Sequence, residues 1–344
     1  MAARAFITGV SGQTLTAPEK AFLRDSQPWG LILFARNINN PEQVTKLVCE
    51  FREAVSRANA PVLVDQEGGR VQRLRPPHWP AYPPGAAYGA IYDRDNAAGV
   101  EAARLAGRLI AADLNPLGIT VDCLPLADVT VAGADPVIGD RAYGATPGKV
   151  AALAAAIAQG LQEGGVLPVV KHLPGHGRAT ADSHARLPVV TTPREVLETT
   201  DFAAFRPLAN LPLGMTAHVV FTAIDPRLPA TTSPTIISEV IRSFVGFAGA
   251  LMSDDVSMGA MSGTLAERTR TALEAGCDLV LHCNGNLAEM GDVAANAPIL
   301  SGAAARRTQA ALAALRPAQR IDLAASRLAF SRMMEQGGVT LAST

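Results

Sequence analysis

Residues 166–172 have the sequence VLPVVKH, a short apolar run that is rich in valine and ends in Lys171 and His172. Runs of this length and composition are typical of buried strands. Seven similar runs occur along the chain, at residues 5–10, 31–37, 61–67, 119–129, 214–221, 250–255 and 278–284. The sequence therefore predicts eight strands.

Stretches with a helical spacing of apolar residues lie between most of these runs. They cover residues 41–58, 96–114, 146–165, 192–210, 233–249 and 264–277. Strands that alternate with helices indicate parallel pairing, and eight such units in 344 residues indicate an α/β fold of the (β/α)8 barrel type. An open, doubly wound sheet is the alternative architecture.

The chain contains no linker-like segment and no abrupt change in composition, so we expect a single domain over residues 1–344. Its last part, at about 301–336, is rich in alanine and arginine with helical spacing, which predicts extra C-terminal helices packed on the barrel. Residues 76–90 are rich in proline and aromatic side chains, and we expect them to form a structured insertion at the barrel rim.

The balance of charges argues against polyanionic partners. The formal net charge is -1 and the charges are interspersed, so we expect neither nucleic acid nor an anionic membrane surface as a partner. The N-terminus lacks the pattern of a secretory leader, and no apolar run is long enough to span a membrane, which predicts a soluble, cytoplasmic protein. The four cysteines form no CxxC pair and lie in apolar segments, so we expect buried free thiols.

Polar side chains end nearly every predicted strand. In (β/α)8 barrels the functional site is built from the C-terminal ends of the strands. The polar residues in these places are Asp65, Glu67, Asp122, Lys171, His172, His218, Asp254, Asp255 and His282. They predict a polar site at that end of the barrel.

The segment KHLPGHGRATADSH, residues 171–184, holds three of the six histidines in the chain. Four of its residues could in principle bind zinc, namely His172, His176, Asp182 and His184. The zincin pattern needs glutamate after the first histidine, however, and Pro174 opposes a helix, so we expect no metal. Its glycines do not complete a phosphate-binding loop, and a simple turn is an equally good interpretation for His176.

An aspartate two residues before a histidine is compatible with a proton-transfer pair. The carboxylate of Asp182 would accept the proton on one nitrogen of His184, which raises the basicity of the other nitrogen and suits it to acid–base catalysis. Asp254, at the end of the seventh predicted strand, would point into the same site and could act as a nucleophile. Side chains alternate along a strand, so we interpret the adjacent Asp255 as a capping or supporting group.

Four motifs together resemble the family 3 glycoside hydrolases, and among them the bacterial β-N-acetylglucosaminidases. The motifs are VDQEGGRVQRL (64–74), IGDRAYG (138–144), KHLPGHGRATADSHARLP (171–188) and MSDDVSMGA (252–260). The resemblance implies that Asp254 is the catalytic nucleophile, that His184 is the acid/base and that Asp182 orients it. Two departures from the family pattern, Leu173 and Val256, are conservative.

The same resemblance implies substrate contacts at Asp65, Arg73, Arg141, Lys171 and His172. A carboxylate accepts from neighbouring sugar hydroxyls, while arginine, lysine and histidine donate to hydroxyl oxygens. A purely structural ion pair is the alternative for Arg73 and for Arg141. No role is assigned to His176.

The function that the resemblance implies is retaining exo-hydrolysis of terminal β-linked N-acetylglucosamine from cell-wall muropeptide fragments. We expect a monomer that binds a small carbohydrate and needs no metal or organic cofactor. Alternatives within the family are a phosphorylase and a β-glucosidase or β-xylosidase. Outside it, a metal-dependent barrel hydrolase and a non-catalytic sugar-binding module stay open.

Overall fold

A computed structural model of the protein describes residues 2–183 and 186–339, which contain a closed barrel of eight parallel strands. Each strand pairs with its neighbours in chain order, and the last pairs with the first. The strands are β1 (Arg4–Thr8), β2 (Pro28–Leu33), β3 (Val62–Val64), β4 (Val121–Asp122), β5 (Leu167–Leu173), β6 (Leu213–Thr216), β7 (Ala250–Asp255) and β8 (Leu279–His282). Every one overlaps a predicted run, so the (β/α)8 barrel is confirmed and the open sheet is wrong.

Helices surround the barrel. They are α1 (Ala17–Ser26), α2 (Pro41–Ala54), α3 (Gly85–Arg94), α4 (Asn96–Leu114), α5 (Pro147–Glu163), α6 (Arg194–Thr199), α7 (Leu265–Ala275), α8 (Leu287–Asn296), α9 (Gly302–Ala313) and α10 (Leu323–Gln336). The helix expected at 192–210 is interrupted: α6 is followed by a 3-10 helix, Phe202–Leu208, that contains Pro207. Residues Ile236–Phe244, where an α-helix was expected, form a π-helix. No helix in the described ranges combines the length and apolarity needed to cross a membrane.

The barrel interior is filled by side chains that alternate along the strands. In β5, Leu167 and Val169 belong to the inner cluster, whereas Val170 packs outward against the helices. Because side chains alternate along a strand, Lys171 continues the inner row at the C-terminal end of β5. The strand thus carries an apolar core along most of its length and a charged group at its end.

Helix α9 closes the N-terminal end of the barrel. Its Ala311 belongs to the inner cluster, and Leu312 packs beside it. Arg307 of α9 donates to Asp278, which precedes β8, at 2.9 Å. Asp278 also accepts from Arg242 at 2.8 Å. The extra C-terminal helices therefore include one that belongs to the core packing of the barrel.

Of the insertion expected at residues 76–90, residues 76–84 form a loop and the rest begin α3. Polar contacts hold this loop in place. Gln72 donates to the carbonyl oxygen of Pro80 at 2.7 Å and accepts from the backbone N–H of Tyr82 at 2.9 Å. The Tyr82 hydroxyl donates to Asp113 of α4 at 2.6 Å. These contacts give the loop a fixed structure before the chain continues into α3.

The four cysteines are free. Cys123, Cys277 and Cys283 are buried, but Cys49 is exposed, so the expectation of a buried thiol is wrong for this residue. The reason is the direction of α2, whose apolar face includes Val48 and packs on the core, which places the next residue on the outer face.

Helices α4 and α5 approach each other closely through glycines. A Cβ atom added at Gly107 would lie 2.4 Å from the carbonyl oxygen of Ile157, and one added at Gly160 would lie 2.0 Å from the carbonyl oxygen of Arg104. Backbone atoms cannot yield as a flexible side chain can, so both positions require glycine. At Gly148 of α5, by contrast, none of the described residues places a heavy atom within 4 Å of such a Cβ.

The substitution Gly160→Ala is expected to lower the free energy of unfolding by about 1–3 kcal/mol, the usual cost of overpacking. Gly148→Ala is the matched control on the same helix, and it should be neutral or stabilising by up to about 1 kcal/mol because alanine favours the helix. Urea denaturation of both variants measures the difference. Equal stabilities would contradict the close packing of α4 and α5.

Candidate active site

A cavity of about 470 Å³ opens at the C-terminal end of the barrel. The predicted site residues that line it are Asp65, Arg73, Arg141, Lys171, His172, Asp182 and Asp254. Ile32, Met215 and Leu281 add apolar lining from β2, β6 and β8. His184, the predicted acid/base, lies outside the described residues. The fold thus brings together seven side chains from distant parts of the chain.

A cluster of charges surrounds Asp65, which directly follows β3. Its Oδ1 accepts from Lys171 Nζ at 2.9 Å, and its Oδ2 accepts from Arg73 Nη2 at 3.0 Å. Burial alone would raise the pKa of Asp65, but the two cations lower it well below its usual value. Asp65 is therefore an ionised hydrogen-bond acceptor in the cavity.

Glu67 does not line the cavity, but it forms ion pairs with two of the cations that do. Arg141 donates to both carboxylate oxygens, at 2.9 Å and 2.8 Å, and Lys171 Nζ lies 2.6 Å from Oε1. Burial by itself lowers the pKa of Lys171, but Asp65 and Glu67 raise it above its usual value, so the ammonium stays charged. The ion pairs considered as alternatives for Arg73 and Arg141 are both present, yet both side chains also line the cavity.

His172 is oriented by Asp128, a residue that the sequence did not single out. Its Nδ1 lies 2.8 Å from Asp128 Oδ2. Burial alone would raise the pKa of Asp128, but His172 and the backbone N–H of His176 lower it, so the ionised carboxylate accepts the Nδ1 proton. The other nitrogen of His172, Nε2, is then the one that can meet a ligand.

Asp254 and Asp255 end β7 in different surroundings. Asp254 lines the cavity, and its Oδ1 accepts from the backbone N–H of Asp255 at 2.8 Å. Burial alone would raise the pKa of Asp254, but the imidazoles of His218 and His172 lower it below its usual value. Asp255 also borders the cavity, but its carboxylate accepts from Ser257 Oγ at 2.7 Å and from the backbone of Ser257, and so caps the turn after β7.

Three other strand-end residues do not line the cavity, namely Asp122, His218 and His282. The expectation is wrong for Asp122 and His282 because side chains alternate along a strand and the residues before them belong to the inner cluster of the barrel. His218 lies beyond the end of β6. The carbonyl oxygen of Asp255 can only accept, so His218 donates to it from Nε2 at 2.9 Å and supports the end of β7. Burial raises the pKa of Asp122 well above its usual value, which favours a neutral carboxyl group.

The segment after β5 brings His176, Asp182 and Ser183 to the cavity. His176 Nε2 lies 3.1 Å from Ser183 Oγ, and the backbone N–H of His176 donates to Asp128 at 2.7 Å. Burial and the nearby His172 lower the pKa of His176 to about 4. Its imidazole is therefore neutral near pH 7.

Two of the four residues considered as zinc ligands have hydrogen-bond partners within the protein. Residues 2–183 and 186–339 contain no group of three or more His, Cys, Asp or Glu that could hold a metal ion. His172 pairs with Asp128, and His176 pairs with Ser183. His184, the last member of the set considered, lies outside these ranges.

Comparison with known proteins identifies the family to which the chain belongs. The sequence profile of the "Glycosyl hydrolase family 3 N terminal domain" matches residues 8–324. A curated relative, the Beta-hexosaminidase of Alkalilimnicola ehrlichii, is 42% identical over 280 residues, which make up 80% of this chain and 79% of the relative.

Two solved structures extend the likeness to the fold. Native NagZ from Neisseria gonorrhoeae matches with a TM-score of 0.85 at 32% identity, over 100% of this chain and 99% of that one. A glycoside hydrolase family 3 beta-N-acetylglucosaminidase from Paenibacillus sp. matches with a TM-score of 0.81 at 30% identity, over 99% of this chain and 63% of that longer one. With a family profile that spans most of its length and relatives at this level of identity, the chain belongs to the family 3 glycoside hydrolases.

Proposed function

We propose that this β-N-acetylhexosaminidase is a retaining exo-enzyme that hydrolyses terminal, non-reducing β-linked N-acetylglucosamine through a covalent glycosyl-enzyme intermediate. The observation that carries the proposal is the state of Asp254. It lies at a strand end in the cavity, and its lowered pKa keeps the carboxylate ionised at neutral pH. An ionised carboxylate in this place can attack the anomeric carbon of a sugar.

The other polar groups of the cavity suit a sugar with several hydroxyls. Each oxygen of Asp65 already accepts one hydrogen bond and keeps a second lone pair for a hydroxyl. Lys171, Arg73 and Arg141 are fixed by carboxylates, so they would donate to hydroxyl oxygens with little loss of side-chain entropy on binding. His172 would contribute Nε2.

The proton transfer is assigned to Asp182 and His184 on their motif. In the first step the imidazolium of His184 would protonate the leaving oxygen while Asp254 attacks. In the second step the neutral imidazole would take a proton from water, which releases the sugar with retained configuration. Most retaining glycosidases use two carboxylates, so a histidine here leaves one strong anion at the reacting centre.

The physiological substrate follows from the family resemblance. We propose a cell-wall fragment in which N-acetylglucosamine is joined to anhydro-N-acetylmuramic acid, with or without a peptide, as met in peptidoglycan recycling. Such a substrate would place the protein in the cytoplasm. We further propose that residues 1–344 act as one domain and as a monomer.

The substitution Asp254→Asn is expected to lower kcat by about 10⁴-fold or more, because the amide is not a nucleophile. The shape of the side chain is kept, and a thermal unfolding curve checks that the variant is folded. Mass spectrometry of the wild type, quenched during turnover of an aryl β-N-acetylglucosaminide, should find the sugar on the peptide that holds Asp254. Near-normal turnover by the variant, or a product of inverted configuration by NMR, would exclude the assigned nucleophile.

The effect of the substitution His184→Ala on kcat/KM is expected to depend on the leaving group of the substrate. Loss of a general acid should lower kcat/KM for a phenyl glycoside by about 10²–10⁴-fold and kcat/KM for a 2,4-dinitrophenyl glycoside much less, since the latter leaving group departs without protonation. Assays with and without phosphate separate hydrolysis from phosphorolysis by the products formed. An equal loss of kcat/KM for both substrates would show that His184 is not the acid.

The pH profile of kcat/KM should lack a rising limb caused by Asp254 above about pH 4. Its pKa is lowered from the ordinary value for aspartate, so the carboxylate is ionised above that value and protonates only below it. The falling limb at higher pH should reflect deprotonation of the acid, and it should vanish in His184→Ala with the 2,4-dinitrophenyl substrate. A rising limb with an apparent pKa above 5 that His184→Ala retains would contradict the ionised nucleophile.

A further inference from the structure

His176 occupies a buried position between two parts of the proposed site. It is 3% exposed, as is Ser183, and its Nε2 lies 3.1 Å from Ser183 Oγ. On its other side, the centroid of its ring is 5.7 Å from that of His172. The contact therefore links the proposed sugar-binding histidine to the middle residue of the Asp182-Ser183-His184 motif.

Both ends of this contact are anchored to the barrel. The backbone N–H of His176 donates to Asp128 at 2.7 Å, and the same carboxylate orients His172. The carbonyl oxygen of Ser183 accepts from the backbone N–H of Ala260 at 3.1 Å, in the loop that follows β7. The side chain of Ser183 thus contacts the segment that follows β5, and its backbone contacts the loop that follows β7.

A neutral imidazole suits a fixed hydrogen bond better than it suits proton transfer. With a pKa lowered to about 4, His176 carries one N–H and one lone pair at working pH, and a serine hydroxyl can complement either. A buried polar group that loses its partner is costly, so the contact with Ser183 is a strong local constraint. Because its pKa lies well below neutrality, His176 is a poor candidate for the acid.

We propose that His176 is a positioning residue, which holds Ser183 and thereby positions the proton-transfer motif in which Ser183 stands. The inference rests on the proposed function, in which Asp182 and His184 transfer the proton. Ser183 lies between these two residues in the sequence, so a hydrogen bond that fixes Ser183 constrains the chain at the centre of the motif. This proposal gives a role to His176, which the sequence patterns left unassigned.

The test compares Ser183→Ala, His176→Leu and the double variant on phenyl and 2,4-dinitrophenyl β-N-acetylglucosaminides. Each single change should lower kcat/KM for the phenyl substrate by about tenfold, the size of one lost hydrogen bond. The 2,4-dinitrophenyl substrate should be almost unaffected, because it does not need the acid. The double variant should be no slower than the slower single variant, because both changes remove the same contact.

Two further variants separate positioning from general stability. His176→Gln keeps a donor and an acceptor at a similar reach, and it should recover part of the rate that His176→Leu loses with the phenyl substrate. Ser233→Ala is the matched control, because Ser233 is buried and donates to Asp225 at 2.7 Å away from the residues that line the cavity. It should leave the dependence on the leaving group unchanged.

Multiplicative losses in the double variant, or equal slowing of both substrates, would overturn the proposal. Ser183→Ala removes a single oxygen atom, so it decides the question even if His176→Leu does not fold. Failure of the proposed function has a different signature: His184→Ala would then show no dependence on the leaving group. If only the present inference fails, that dependence persists in His184→Ala and is absent from the Ser183 and His176 variants.

Discussion

An ammonium group enclosed by protein stays charged only where carboxylates replace the water that it has lost, and Lys171 is in this position. Its side chain is 3% exposed and lies within 2.9 Å of Asp65 and within 2.6 Å of Glu67. Removing ions from water costs several kcal/mol for each, so such a cluster adds little net stability. What it provides is a fixed geometry, because it joins the end of β5 to the segment after β3 and, through Glu67, to Arg141.

The balance of charge in this cluster also affects Asp254, the proposed nucleophile. Three cations, Lys171, Arg73 and Arg141, face the two carboxylates of Asp65 and Glu67, which leaves an excess of positive charge. Lys171 is among the groups that lower the pKa of Asp254. Lys171, which is proposed to hold the sugar, therefore also helps to keep the carboxylate of Asp254 deprotonated.

The barrel could be predicted because its signal is local and repeated. Each strand is a short apolar run with a polar end, and eight of them separated by helices leave few architectures. The lining of the cavity was predictable where a motif carried it, as at Asp65, Lys171 and Asp254. Glu67 was among the predicted strand-end residues, but its pairing with Arg141, 74 residues away, was not predicted. Asp128 was missed altogether, because its partner His172 lies 44 residues away and no local pattern indicates such a contact. The π-helix at Ile236–Phe244 was predicted as an α-helix, because its apolar spacing fits both.

The outward position of Cys49 has a practical side. Burial raises the pKa of Cys123, Cys277 and Cys283, and the thiolate is the reactive form, so these three thiols react slowly. Cys49 stands apart from them on the outer face of α2 and does not line the cavity. Cys49 is thus a suitable site for attaching a fluorophore, a spin label or a solid support without any substitution. Attachment there would leave the cavity accessible.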